Sequence, residues 1–119
     1  MGDGVTGNDM TLSQLQTACY EQAKASGWAG PGAREIPFPE AMALLHSEVS
    51  EALECWRNNE PITWTSNRGK PEGISSEFAD VIIRLGHYAC IYGVDLQKAV
   101  ADKLAYNATR PYRHGNKLG

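Results

Sequence analysis

The sequence predicts an all-α domain built as a four-helix bundle. Four stretches carry apolar residues at helical spacing. Loops rich in proline and glycine separate them. No stretch shows the alternating pattern with hairpin signals that a sheet needs. Four helices joined by shortish loops pack as a bundle.

Helix one is expected from about Thr11 to Ser26, with Leu12, Leu15, Ala18, Cys19 and Ala23 apolar and Gly27 as its stop. The loop WAGPGAREIPF follows, broken by Pro31 and Pro37. Pro39 suits a first helical position, because its missing N–H would have no partner there anyway. Helix two then runs to about Asn59. The next loop, EPITWTSNRGKPEG, holds two prolines, two glycines and Trp64. Ser75 or Ser76 is expected to cap helix three, which runs to Tyr92 with Gly93 after it. Asp95 is expected to cap helix four, and Pro111 ends it. Residues 1–9, rich in Gly and Asp, read as a loose tail, and 10–119 as one domain. No repeat of fixed period is present, but Glu48-Val-Ser-Glu51 is echoed by Glu77-Phe-Ala-Asp80.

Bulk properties narrow the function. The chain has 119 residues and a net charge of −3, which argues against a nucleic-acid backbone binder. Cys19, Cys55 and Cys90 are odd in number and lack CxxC spacing, so neither a disulfide framework nor a structural zinc site is expected. Free thiols in a reducing compartment are the simpler reading. The start MGDGVTGNDM has no basic region followed by an apolar run, and no apolar stretch reaches membrane length. The expectation is a cytoplasmic protein with no membrane partner.

The two tetrads are the most informative feature. At 100° per residue, Ala41, Leu45, Val49, Ala52, Leu53 and Trp56 share an apolar arc on helix two, and Glu48 and Glu51 lie at its edge. On helix three the arc is Phe78, Val81, Ile82, Leu85, Tyr88, Ala89 and Tyr92, with Glu77 and Asp80 at the same edge. If the helices pack by these arcs, the pairs converge. Four carboxylates brought together repel one another, and a divalent cation removes the repulsion. Oxygen-only ligands suit Mg²⁺ before Zn²⁺, with Mn²⁺ a substitute. The alternative is four ordinary solvated carboxylates, since glutamate is a common helix former. Glu54 lies further round and reads as solvated. A di-iron bundle would need Glu-x-x-His pairs. Ala43, Arg84 and Pro111 stand three residues before the three histidines, so that reading fails.

Helix four begins with an apolar stripe, Leu96, Ala99 and Val100, which continues in phase as Lys103, Asn107 and Arg110. Snorkelling and the helix dipole account for Lys103 and Arg110 on a plain surface. They account less well for Asn107. The functional reading is an anionic ligand facing the carboxylates, with Arg113, His114 and Lys117 in the tail and Lys70 in the second loop as further cations. Trp28 and Trp64, in loops, are candidates for stacking on a nucleobase. Trp56 is expected in the core. His46 reads as structural, His87 as rim or ligand, and Cys55 as filler.

Taken in order, LLHSEVSEALECWR, SSEFADVIIRLGHYACIYG and DKLAYNATRPYRHGNK resemble the MazG-like all-α NTP pyrophosphatase superfamily over roughly residues 40–117. The resemblance lies in ExxE, then ExxD, then Lys-x₃-Asn-x₂-Arg. It implies hydrolysis of a nucleoside triphosphate to monophosphate and pyrophosphate. It implies Mg²⁺ on Glu48, Glu51, Glu77 and Asp80, and phosphate on Lys103, Asn107 and Arg110. Glu51, beside Glu48, is the candidate for orienting or deprotonating the attacking water. A homodimer or homotetramer is also implied. Ser47 departs from the pattern, since many members carry a further Glu there. Alternatives are a phosphoribosyl-ATP pyrophosphohydrolase, a protein that binds nucleotide without cleaving it, and a non-catalytic oligomeric bundle.

Overall fold

The structure, a computed structural model, describes residues 9–112. It is mostly helical: α1 (Leu12–Ala25), α2 (Phe38–Arg57), α3 (Ile74–Ile91) and α4 (Leu96–Ala108). Two short strands, β1 (Trp64–Thr65) and β2 (Pro71–Glu72), lie between α2 and α3.

Local chemistry explains most helix ends. Thr11 Oγ1 accepts from Gln14 N, and Gln14 Oε1 accepts from Thr11 N, so α1 starts with a reciprocal capping box. Pro39 falls in the first turn of α2. Asp95 caps α4 by accepting from Lys98 N at 3.0 Å. The start of α3 differs from expectation. Neither serine caps it; Gly73 does, at φ 90°. Ser75 N donates instead to Ile62 O, and its hydroxyl shares a hydrogen bond with Thr63 Oγ1. Both serve the connection that leads into the helix. That connection holds the unexpected ladder, which pairs Trp64 with Glu72 and Thr65 with Pro71 in antiparallel register. Two residues per strand are too few to show a period of two in the sequence.

The third helix is central, with α1 and α2 packed against it, while α4 lies against α1. At Gly86 an added Cβ would come within 2.9 Å of Cys19 Sγ, so glycine is what lets α1 approach α3 closely. The buried apolar residues are Cys19, Ala29, Ala41, Ala52, Cys55, Tyr88 and Ala89. All but Tyr88 are small.

Several large members of the expected apolar arcs stay out of the α2–α3 contact, although Ala41, Ala52, Tyr88 and Ala89 of those arcs are buried. Val49, Leu53 and Trp56 are 57, 46 and 67% exposed, and Phe78, Ile82 and Leu85 are 62, 45 and 37% exposed. Trp56 is therefore not a core residue. The helices meet instead along Glu48, Ala52 and Cys55 on one side and Glu77, Arg84 and Tyr88 on the other. Glu48 bonds Arg84, while Cys55 lies near Glu77, so the pair runs antiparallel. On each helix the large apolar stripe lies roughly 100° from this seam, in the same rotational sense. In an antiparallel pair that sense places both stripes on one side. The carboxylate edge takes the other side. On α4 no residue is buried, and Val100 and Leu104 are exposed.

Candidate metal centre

Two helices supply the site. From α2 come Glu48 and Glu51, and from α3 comes Glu77; one oxygen of each lies within 4.8 Å of the others. Glu48 and Glu77 are half-buried and Glu51 is exposed. Asp80, one turn beyond Glu77, stands outside this group of three but acts on it. Burial, then the charges of Asp80, Glu51 and Glu48, then a hydrogen bond with Asp80 hold the Glu77 carboxyl above its ordinary range. The carboxylate convergence expected from the sequence is thus present for three residues, with the fourth adjoining.

Beside the three carboxylates lies an open cavity of about 540 Å³, lined by Ser47, Ser50, Glu51, Glu54, Cys55, Glu60 and Glu77. Cys55 is buried, and burial together with the charges of Glu60 and Glu77 pushes its thiol up. Its Sγ is not part of the group of ligand atoms that converge. The donors left are carboxylate oxygens, a set that fits a hard divalent cation such as Mg²⁺ or Mn²⁺.

Two contributors were not expected from the sequence. Arg84 Nε donates to Glu48 Oε2 at 2.6 Å, and its Nη1 donates to the hydroxyl of the buried Tyr88 at 3.2 Å. Glu60 lines the cavity and accepts from Trp64 Nε1 at 3.1 Å. The signal for Arg84 was available: it stands four residues after Asp80 and seven after Glu77, hence on the same helix edge. Glu60 lies in a loop and had none. Its bond to Trp64 ties that indole, which is 38% exposed, to a residue of the cavity lining.

Other candidates fall elsewhere. Trp28 is 70% exposed on the loop after α1. Lys70 Nζ lies 3.6 Å from Glu72 on the hairpin. Lys103, Asn107 and Arg110 are exposed on or just after α4, which contacts α1, and Arg110 sits 6.0 Å over the Tyr106 ring. Among the described residues, none of the three bonds a carboxylate of the centre. The reason is the placement of α4, which packs on α1. Arg113, His114 and Lys117 lie outside the described residues. His46 is exposed. His87 is not on the rim: it is 8% exposed, close to the Tyr20 and Tyr88 rings, with Nε2 lacking a hydrogen-bond partner among the described residues. Cys19, Cys55 and Cys90 are free thiols.

No protein-family model matches the chain, and no curated protein or solved structure matches it either. The functional reading therefore rests on these residues and on the order of the motifs.

Proposed function

We propose that this chain hydrolyses a nucleoside triphosphate to the monophosphate and pyrophosphate, with a divalent cation, Mg²⁺ or Mn²⁺, on Glu48, Glu51 and Glu77 and with Asp80 in support. The observation that carries this reading is the meeting of carboxylates from two helices beside a cavity large enough for a phosphorylated ligand. The resemblance of the motif order to the MazG-like superfamily points the same way. When bound, such a cation supplies charge for phosphate oxygens and acidifies water.

The chain's own groups have distinct tasks in this reading. Glu51 is the exposed member of the three and lines the cavity, so it orients or deprotonates the attacking water. Glu48 and Glu77 are half-buried and better suited to fixed ligation. Trp64, bonded to Glu60 of the cavity lining, offers a flat apolar face on which a nucleobase can stack. The exposed stripes on α2 and α3 form one continuous apolar face, which a second copy of the chain would cover. Association in a homodimer or homotetramer is also the route by which Lys103, Asn107 and Arg110 would reach a triphosphate. Among the described residues no helix is long and apolar enough to cross a membrane.

The test is incubation of the purified protein with each common and deoxy nucleoside triphosphate, and with phosphoribosyl-ATP, in Mg²⁺ and in EDTA. The expected result is Mg²⁺-dependent monophosphate and pyrophosphate, lost in Glu51→Gln and Glu77→Gln. Turnover of phosphoribosyl-ATP alone would move the assignment to that substrate. No turnover of any of them by folded protein would overturn the hydrolase reading.

A further inference from the structure

Resting on the reading above, we propose that Arg84 competes with a divalent cation for Glu48 and serves as a phosphate-binding residue of the same site. The Glu48 carboxylate, whose side chain is 13% exposed, contributes one oxygen to the three-carboxylate group, and the Arg84 bond at 2.6 Å engages its Oε2. Among the described residues, Lys98 pairs with Asp102 on α4, Lys70 with Glu72 on the hairpin, and Arg57 with Glu54, which lines the cavity. Among the described residues, Arg84 is the cation bonded directly to a carboxylate of the centre.

A fixed positive charge beside a cation site opposes a second cation there. It also limits the repulsion among Glu48, Glu51 and Glu77, the same repulsion that a divalent ion would relieve. Arginine and metal are therefore alternative counter-ions for Glu48. Arg84 has a second anchor, since Nη1 is held by the hydroxyl of Tyr88, which is 2% exposed. Its own side chain is 39% exposed, so part of the guanidinium stays open to solvent beside Glu48. A guanidinium released from a carboxylate matches a phosphate with the same two-pronged geometry. An interhelical staple with no such role predicts something different: its loss loosens Glu48 and weakens metal binding.

The experiment compares wild type, Arg84→Met and Arg84→Lys, each as the full chain with its melting temperature recorded in EDTA. Mn²⁺ affinity is read by electron paramagnetic resonance. Affinity for inorganic tripolyphosphate is read by calorimetry in saturating Mn²⁺. Arg84→Met should bind Mn²⁺ about tenfold more tightly, the scale of one like charge partly screened by solvent. It should bind tripolyphosphate about tenfold more weakly. Arg84→Lys keeps the charge but not the fork, so its Mn²⁺ affinity should stay near wild type while tripolyphosphate affinity falls. That variant carries the test if Arg84→Met does not fold. Unchanged or weaker Mn²⁺ binding in Arg84→Met, or unchanged tripolyphosphate binding in both variants, overturns the role of Arg84 and leaves the metal centre standing. No Mn²⁺ binding by wild type overturns the metal centre itself.

Discussion

Replacing Leu53 and Ile82 together by aspartate asks what the apolar face on α2 and α3 is for. These two side chains are 46 and 45% exposed in the single chain, so about half of their burial is still to be gained. Full burial of a large aliphatic side chain contributes about 1.5–3 kcal/mol, which leaves about 1 kcal/mol for each residue here. An interface between two copies contains each residue twice, so the double substitution removes about 4 kcal/mol. Desolvation of the new carboxylates adds to the loss. In affinity, 4 kcal/mol is about a thousandfold. Sedimentation velocity over a range of concentrations measures it directly. The wild type should sediment as a dimer or tetramer and Leu53→Asp/Ile82→Asp as a monomer. Helical circular dichroism should hardly change, because neither side chain is buried within one chain. A wild type that stays monomeric at high concentration, or a double variant that associates within tenfold of wild type, would refute the assignment of this face.

Glu77 and His87 give opposite pH signatures. The Glu77 carboxyl lies above its ordinary value of 4.5 in the fold, so the folded state holds its proton more tightly than the unfolded chain does. In metal-free protein its contribution therefore destabilises as pH rises from 4.5 through the raised folded value, and Glu77→Gln should raise the neutral-pH melting temperature while abolishing Mg²⁺ stabilisation. A fall in neutral-pH stability, or retained Mg²⁺ stabilisation, counts against the cluster. Burial, with Arg84 next, holds His87 below its ordinary 6.5, so its contribution is lost as pH falls from 6.5 through the folded value; His87→Phe should flatten that acid limb in a thermal melt, and an unchanged limb would contradict it. Gly73→Ala should cost about 2–4 kcal/mol in urea unfolding, because φ is 90° and the new Cβ would lie 2.5 Å from Ile62 O and 2.7 Å from Pro61 O, both backbone. Mg²⁺ affinity should fall with it, since Glu77 N donates to Gly73 O; a cost under about 1 kcal/mol would show that the connection gives way easily.

The helices were legible because their ends are written in local chemistry. Thr11, Pro39, Asp95 and the breaker Gly93 each act within a few residues of themselves. Convergence of Glu48, Glu51 and Glu77 was legible for a related reason: an i, i+3 pair on each helix fixes an edge whatever the partner. The inward direction of each arc was not. Periodicity says which residues share a face, but large apolar residues mark a face to be covered, not the element that covers it. Periodicity alone puts Val49 and Phe78 in the α2–α3 contact, and the structure leaves both exposed. Helix four failed for the same reason. Its stripe was continuous through Lys103 and Asn107, but the choice of α1 as its neighbour depends on contacts such as Gln16 with Val94 O and Leu96 N, far apart in sequence. His87 was misplaced because its neighbours, Tyr20 and Tyr88, belong in part to α1.

The displaced apolar face and the acidic centre follow from one packing decision. Carboxylates on two helices converge only if the helix axes come close where those side chains leave the backbone, and axis separation depends on the side chains at the contact. Ala41, Ala52 and Cys55 supply small side chains on α2 at that contact. Leucine or tryptophan there would hold the helices apart and keep Glu48 and Glu51 from Glu77. With the seam given to small residues, the large ones must leave it, and an amphipathic helix has room for them only on the flank opposite the carboxylates. A single chain then has little core: among the described residues no large side chain is fully buried. Stability has to come from elsewhere, and a second copy on the apolar flank and a cation among the carboxylates are the two sources that this arrangement leaves open. Both act by binding the folded state alone, so both should raise the melting temperature with concentration, one of protein and one of metal.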